Sequence, residues 1–498
     1  MSLKKIFNKK YYCQWLLILL CCVLCSIFYR IFIFNASDIN QDNYYYISLG
    51  MLARYCDIPN IVDAFTVGIV PVAIFRGVAW FSRASENYFE LSLIASKSIV
   101  IFTILYYSIA SIFYNKLSKN TASKIIFLLL LFLPLKISSD IASLNAEYIC
   151  IFLIILIYGV LNCKINNFTK IATFIALSII CINTKMQSLP LLFAIVVVSK
   201  VSKKEIVFYI TTLLALVFLN EYFLYTQKLG YLYHSKDIFG YVSYNGSKNP
   251  FRIFAFIEKA FLLFPVLFIA IAIDISQKYK IGAQKDWKFL FLLLIAFGVA
   301  IAPLRFFDHH LIYLLVPLHY FIVNYNEDSC ISSTTVISVE GKYRILLDYK
   351  KIMLFTLVLW TIGYEAKFFL RYFKGIPTLS SLAYPYRDDF VSEFKKHLQL
   401  SKRVRLFVNG WDYSYYPYLS ICPAKDDYAN LQGGKINQED FYNGIFDGAY
   451  DYIIDINKYS GFSNEKYSFR KNKELAEQVS RRYVKIIAGE EIDVFEIK

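Results

Sequence analysis

Long runs of apolar residues, separated by short polar segments, occupy most of this chain up to about residue 375. A helix needs about 20 mostly apolar residues to cross the hydrocarbon core of a bilayer. By that criterion the sequence predicts about eleven membrane-spanning helices, at 14–34, 91–114, 123–138, 147–162, 169–183, 187–199, 206–225, 252–275, 288–303, 310–324 and 352–372. The fifth and sixth runs are short, which is typical of half-helices that meet near a membrane surface.

The basic residues between these runs alternate in density from one loop to the next. Cytoplasmic loops of membrane proteins are enriched in Lys and Arg. If the N-terminal Lys4, Lys5, Lys9 and Lys10 are cytoplasmic, the other loops on that side hold Lys116, Lys119, Lys124, Lys164, Lys170, Lys200, Lys203, Lys204, Lys278, Lys280, Lys285, Lys288, Lys342, Arg344, Lys350 and Lys351. The opposite side has longer loops and fewer basic residues, which predicts that the N-terminus is inside and the C-terminal segment outside.

The first apolar run resembles a signal peptide, since it follows several lysines. It is long enough to span and lacks a small-residue cleavage site, so we expect it to be an uncleaved anchor. The segment after it, 35–90, alternates amphipathic stretches that are typical of helices lying in the membrane interface. A second outer segment, 227–251, is rich in Tyr and Gly and is a candidate mobile flap.

The tail after about residue 375 has no long apolar runs and more charge. Its pattern predicts helices at 389–399, 438–446 and 472–482, strands at 403–408 and 451–456, and a hairpin at 483–497 that turns at Gly489. Alternating helices and strands indicate a small extracytoplasmic α/β domain over 376–498, appended to a transmembrane domain over 1–375. The tail has no GxGxxG, P-loop or metal-ligand motif, so a binding or packing role is expected.

The composition agrees with a lipid environment. Of the 498 residues 57% are hydrophobic and 18% aromatic, and the mean hydropathy is +0.45. A soluble chain this apolar could not bury its surface in one core. The formal net charge of +15 resides mainly in short loops. Since the sequence contains no basic helix, zinc-ligand spacing or aromatic-basic strand motif, nucleic acid is not an expected partner.

The ten cysteines do not form the framework of a small disulfide-rich domain. Most fall in or beside apolar runs, where a thiol acts as a small hydrophobic group. Cys56 and Cys422 are the two that are expected to be external. A disulfide between them is one alternative and two free thiols the other.

Ionisable residues at the predicted outer ends of the helices are the candidates for chemistry, because charge near a bilayer is costly and usually lines a cavity or pathway. In the first outer loop, Asp38 and Asp42 are four residues apart and would share one face of a helix. Such a pair is suited to hold a divalent cation, or one of the two to act as a general base. The alternative is a solvated acidic loop that contains a helix cap.

The other short outer loops also carry charge. Asp140 lies in the second loop, and Glu147 opens the fourth helix, where an acid is favoured by the helix dipole whatever its function. Lys185, between the fifth and sixth helices, and Arg305, before the tenth, lie on the side that is poor in basic residues. Two cations at helix ends are suited to bind a phosphate, and basic residues that snorkel to the interface are the alternative.

His309 and His310 follow Arg305 and Asp308 at the start of the tenth helix. With no Cys or further His nearby, they are more often packing residues at the interface than metal ligands. All the short outer loops nevertheless contribute an acid or a base. This is expected if the helix ends converge on one polar site.

These placements resemble the GT-C membrane glycosyltransferases, a superfamily that includes protein O-mannosyltransferases and lipid A aminoarabinose transferases. The resemblance lies in an acid followed by aromatics after the first helix, in interfacial helices in the first loop, and in the order of the later charges. The segments concerned are 42–46, Glu147, 184–185, Arg305 and 310–317. The resemblance covers residues 10–375, and the tail is similar to outer domains appended to many bacterial members.

The resemblance implies an inverting transfer of a sugar from a polyprenyl-phosphate donor such as undecaprenyl phosphate, outside the inner membrane of a bacterium. Asp42 would deprotonate the acceptor hydroxyl, and Lys185 and Arg305 would stabilise the leaving phosphate. Asp38, Asp140 and Glu147 would bind sugar hydroxyls or the acceptor. The family often has Asp-Glu in the first loop, whereas Asn43 follows Asp42 here, so a divalent cation is not assigned.

Other classes of membrane protein remain as alternatives. A transporter or lipid flippase would also have charged residues near helix ends, although paired half repeats and ionisable residues at mid-membrane depth are not apparent. A non-catalytic assembly or receptor subunit that uses the tail for binding is a third reading. The sugar, and whether the acceptor is a cell-envelope glycan, lipid A or a protein, are left open by the sequence.

Overall fold

The computed structural model describes residues 9–28, 50–53, 56, 69–81, 129, 146–226, 251–264, 267, 270–271, 287–302, 308–324, 334–339, 343–348, 355–360, 362–363, 366, 393–398, 404–410, 415–419, 421–422, 443–457, 466, 468–489 and 492–498. The chain divides into two compact units. The first comprises Met1–Asn40, Ile99–Val217 and Ser247–Ser380, and the second comprises Gln41–Ser98, Phe218–Gly246 and Ser381–Lys498.

The first unit consists mainly of helices. In chain order the described helices up to residue 324 are α1 (Lys9–Phe28), α2 (Ile69–Phe81, in the second unit), α3 (Ala146–Asn162), α4 (Asn167–Thr184), a 3-10 turn (Met186–Ser188), α5 (Leu189–Val198), α6 (Lys203–Thr226), α7 (Arg252–Leu263), α8 (Lys288–Ile301), a 3-10 helix (Asp308–Leu314) and α9 (Leu315–Asn324).

Most of the apolar runs in the sequence are helical in the structure. Helical residues lie in the runs predicted at 14–34, 147–162, 169–183, 187–199, 206–225, 252–275, 288–303, 310–324 and 352–372. Of the runs at 91–114 and 123–138, Leu129 is the residue that the structure describes. The predicted outer segment 227–251 lies outside the described residues except for Phe251.

Two described helices are long and apolar enough to cross a membrane, Asn167–Thr184 and Lys203–Phe223. At 1.5 Å per residue, the 24 residues of α6 extend about 36 Å, which exceeds a hydrocarbon core of about 30 Å. Shorter apolar helices cover Ala146–Asn162, Met186–Val198, Lys288–Ile301 and His310–Phe321. The number of spans over the whole chain remains a prediction.

Helices α3 and α6 differ in what surrounds their apolar side chains. In α3 nearly every residue is buried, from Ala146 to Leu161, so this helix is enclosed by its neighbours. Only 11% of the residues in the apolar stretch of α6 are buried. Phe218 is 70% exposed and Val207 65% exposed. A helix that is this apolar and this exposed is suited to lipid rather than to water.

The helices of the first unit alternate in direction around α3. Cys150, near the start of α3, contacts the end of α4 at Cys181, and Asn162, at the end of α3, bonds to Ser199 just after α5. Gln187 in the 3-10 turn donates to the carbonyl of Val299 near the end of α8, at 2.6 Å. One end of this bundle therefore gathers the start of α3, the end of α4, the start of α5 and the end of α8.

A hairpin follows α9 where the sequence pattern was interpreted as a loop carrying Lys342 and Arg344. Strands β1 (Thr334–Val339) and β2 (Tyr343–Asp348) pair antiparallel, with Thr334 opposite Asp348. The stretch TTVISV is rich in β-branched residues, which favour strands. A search for long apolar runs overlooks such short strands.

The described tail contains a four-stranded mixed sheet. Its strands are β3 (Leu406–Asn409), β4 (Tyr452–Ile456), β5 (Tyr483–Ala488) and β6 (Ile492–Ile497), in the order β3-β4-β6-β5. Strands β3 and β4 are parallel, and the other two pairings are antiparallel. The strands predicted for the tail are confirmed, as is the hairpin at Gly489, whose N–H donates to the carbonyl of Ile492.

The tail also contains helices that pack with this sheet. They include α10 (Tyr415–Leu419), which the pattern did not predict, and α11 (Lys473–Arg482), which it did. Asn472 caps α11 by accepting a hydrogen bond from the N–H of Leu475 at 3.1 Å. The apolar core combines residues from the sheet and the helices, namely Phe407, Ile445, Tyr450, Ile453, Phe469, Leu475, Val479 and Tyr483.

Candidate functional site

Lys185 occupies a break between two helices. Its backbone is extended, with φ −162° and ψ 112°, so that α4 ends before it and the 3-10 turn begins after it. The N–H of Lys185 donates to the carbonyl of Cys181, and its own carbonyl accepts from both the N–H and the hydroxyl of Ser188. These bonds fix the main chain, and so the point from which the side chain extends.

Glu147 lies directly opposite, in the first turn of α3. The residue is 2% exposed, and its Oε1 forms an ion pair with Nζ of Lys185. An unpaired carboxylate would be costly in this surrounding, because burial removes the water that stabilises its charge. The ammonium compensates for that loss while the Lys185 side chain itself remains 30% exposed. The pair thus has a buried anion and an accessible cation.

His310 is the third member of this cluster. It lies in the 3-10 helix that precedes α9, is 3% exposed, and places Nε2 3.7 Å from the same Oε1 of Glu147. Three residues that the sequence identified separately, and that lie in three distant parts of the chain, therefore converge. We refer to Glu147, Lys185 and His310 as the acid-lysine-histidine cluster.

Two buried thiols, which the sequence analysis did not select, lie next to this cluster. Cys150 is one helical turn after Glu147, and Cys181 is one turn before Lys185. Each thiol points to the backbone carbonyl of the other residue, at 3.7 and 3.9 Å, and the Cys181 sulfur lies 3.3 Å from the hydroxyl of Ser188. The sequence contained a signal for them, since the i, i+3 spacing of Glu147 and Cys150 and the i, i+4 spacing of Cys181 and Lys185 place each pair on one face of a helix.

The opposite end of the bundle carries lysines of the predicted cytoplasmic loops. Nζ of Lys170 donates to the carbonyl of Leu161, and Nζ of Lys288 donates to the carbonyl of Val198, both at 3.3 Å. Cations are favoured near helix C-termini, where carbonyl groups lack partners. The acid-lysine-histidine cluster therefore lies at one end of the bundle and these two lysines at the other.

Cys56 and Cys422 form a disulfide in the second unit, with their Cα atoms 5.8 Å apart. This decides between the two alternatives that the sequence left open. The segment around Cys56 and the tail are therefore joined covalently within the second unit. Disulfides persist in oxidising compartments.

Helix α2 occupies the second half of the stretch 61–81, for which interfacial helices were expected. Gly50 lies so close to this helix that a Cβ at position 50 would collide with the backbone carbonyl of Phe75. Both positions belong to the second unit. The close approach explains the need for glycine there.

Several predicted site residues cannot be placed. Asp38, Asp42, Asp140 and Arg305 lie outside the described residues, and His309 is described only as part of the 3-10 helix Asp308–Leu314. Among the described residues, no group of three or more His, Cys, Asp or Glu side chains is arranged to hold a metal ion. Asp38 and Asp42, the pair predicted as a candidate site for a divalent cation, are not among the described residues.

The acid-lysine-histidine cluster can bind an anion through Lys185 and can exchange ion-pair partners around Glu147. Comparison with protein-family models, with curated proteins and with solved structures gives no match to this chain.

Proposed function

We propose that this protein is an integral membrane glycosyltransferase that transfers a sugar from a polyprenyl phosphate to an acceptor hydroxyl on the outer side of a bacterial inner membrane. The observation that carries the proposal is the convergence of Glu147, Lys185 and His310 at one end of the helix bundle. The sequence resemblance to the GT-C superfamily supplies the reaction type.

The separation of charges supports the proposed orientation. The cluster lies at the end of the bundle predicted to face outward, and Lys170 and Lys288 lie at the end predicted to face the cytoplasm. The Cys56–Cys422 disulfide supports an outer location for the second unit, since the cytoplasm keeps thiols reduced. The exposed apolar face of α6 supports contact with lipid.

In the proposed reaction Asp42 accepts the proton of the acceptor hydroxyl, and the oxygen attacks the anomeric carbon. The bond between that carbon and the phosphate oxygen breaks, and its electron pair remains on the phosphate. The phosphate gains negative charge in the transition state, so a cation placed beside it lowers the barrier. Lys185 is suited to this role because its ammonium is accessible, and Arg305 is the proposed second cation.

The experiment is complementation of cells that lack the protein, with the cell-envelope glycan and lipid A profile as the measurement. Wild type restores the missing sugar, and Asp42→Asn, at equal expression, does not, because general-base assistance contributes about 10² to 10⁴ in rate. Asp447→Asn, in an exposed position of the tail, is the matched control. Sugar transfer by Asp42→Asn at the wild-type level would rule out the mechanism.

A further inference from the structure

We infer that Glu147 competes with the donor phosphate for the Lys185 ammonium, and so limits how tightly the site holds a lipid phosphate. This inference rests on the proposed function. It assigns Glu147 a positioning role that acts through Lys185, in place of direct contact with sugar or acceptor.

The burial of Glu147 is the first step. At 2% exposure its carboxylate has little surface to offer to a sugar hydroxyl. The oxygen Oε1 already contacts both Lys185 and His310. Lys185 is the accessible member of the pair, with 30% of its side chain exposed. An incoming phosphate therefore meets the ammonium, and the carboxylate affects the ligand through it.

Electrostatics gives the sign of the effect. A phosphate beside the ammonium also lies near the carboxylate behind it, and the repulsion is strong because buried charges are poorly screened. Loss of the carboxylate also frees the Lys185 side chain to sample more rotamers, which opposes binding. Coulomb repulsion between charges a few ångströms apart at partial burial exceeds the entropy of one lysine side chain. Removal of the Glu147 charge should therefore tighten phosphate binding.

His310 allows Lys185 to leave the Glu147 carboxylate and turn toward a phosphate. When Lys185 turns toward a phosphate, the buried carboxylate loses part of its compensation. Nε2 of His310 remains at 3.7 Å from Oε1 and is itself buried, so a second partner stays beside the carboxylate. The cluster can thus release Lys185 without leaving Glu147 alone.

The competition has a catalytic benefit. The leaving lipid phosphate carries more negative charge than the donor, so a site with an unopposed cation would retain its product. An internal carboxylate that reclaims the lysine favours release. Interactions that stabilise the ground state and the transition state equally do not accelerate the chemical step.

The test is the affinity of the purified full-length protein in detergent for undecaprenyl phosphate, measured for four proteins: wild type, Glu147→Gln, Lys185→Ala and the double variant. We expect Glu147→Gln to bind about tenfold more tightly than wild type, which corresponds to about 1.4 kcal/mol. Lys185→Ala should bind more weakly, and Glu147→Gln should have no further effect in that background.

Glu205→Gln is the matched control. It makes the same change of acid to amide at the other end of the bundle, where Glu205 accepts a hydrogen bond from the N–H of Ser202. Its affinity should equal that of wild type. Glu147→Asp keeps the charge but withdraws it by one methylene, and should tighten binding less than Glu147→Gln; it also serves if the amide variant does not fold.

The outcomes separate the two proposals. Weaker or unchanged binding by Glu147→Gln overturns the inference. A merely structural defect or a lost sugar contact would give that result, since neither would increase affinity. Tightening that persists with Lys185→Ala also overturns it, since Glu147 would then act without the lysine. A wild-type protein that does not bind undecaprenyl phosphate contradicts the proposed function, and the inference with it.

Discussion

The disulfide between Cys56 and Cys422 should be the main covalent constraint on the second unit, and its removal gives a quantitative prediction. The two cysteines are separated by 366 residues. The chain-entropy relation for a loop of that length gives about 6 kcal/mol. The chain between the two cysteines includes apolar helices of the first unit, and any of these that stay folded keep it from spreading freely, so this is an upper value. We expect the variant with both cysteines replaced by Ser to lose about 2–4 kcal/mol of unfolding free energy.

The assay is pulse proteolysis in urea on the full-length protein in detergent, which follows unfolding of the second unit. Cys21→Ser is the control, because Cys21 is exposed and free. Mass spectrometry after maleimide labelling checks the bond itself. Cys422 should be unreactive in wild type until a reductant is added, and reactive at once in Cys56→Ser. Equal labelling of Cys422 in both proteins, or a stability loss below about 0.5 kcal/mol, would refute the reasoning.

Two further predictions concern the second unit. Gly50→Ala should lower the unfolding free energy of this unit by about 1–3 kcal/mol, measured by pulse proteolysis, because the new Cβ collides with the carbonyl of Phe75. Gly77→Ala is the control and should have little steric effect, because its Cβ meets no atom within 4 Å. Equal losses in the two variants would contradict the account. Burial, together with the hydrogen bond to Glu496 at 2.9 Å, raises the pKa of Tyr452 to about 12 from its ordinary 10.0. The neutral phenol therefore stabilises the fold below pH 10, and this contribution is lost as the pH rises toward 12. Tyr452→Phe should flatten the dependence of the unfolding free energy on pH between those values. A variant with the same pH dependence as wild type would contradict this prediction.

Local patterns in the sequence were sufficient for much of the secondary structure. The apolar runs that became α3, α4 and α6 needed no long-range information, because about 20 apolar residues in a row favour a helix wherever they lie. The tail strands β4 and β6 follow from alternation and β-branched residues in the same way. The hairpin β1–β2 was missed because its strands are short and the surrounding charge suggested a loop.

The candidate site was only partly predictable. Charge at the ends of helices marked Glu147, Lys185 and His310 as polar residues in costly positions, and the alternation of basic loops put them at one end of the chain's helices. The sequence did not indicate that Glu147 would be buried beneath Lys185. The helical spacings that put Cys150 beside Glu147 and Cys181 beside Lys185 were present in it but were overlooked. The resemblance to the GT-C superfamily implied that Glu147 binds a sugar or the acceptor, whereas an acid at a helix start, taken alone, is expected from the helix dipole.

What the sequence alone determined, then, is where helices and strands form and which loops carry charge, since these depend on residues that are near one another in the chain. The tertiary structure decided the partners: Glu147 with Lys185, 38 residues apart, and Cys56 with Cys422, 366 residues apart. Such pairings depend on which faces of distant helices and strands pack together. Helical periodicity limits the choice of faces, and the fit of side chains between elements selects one.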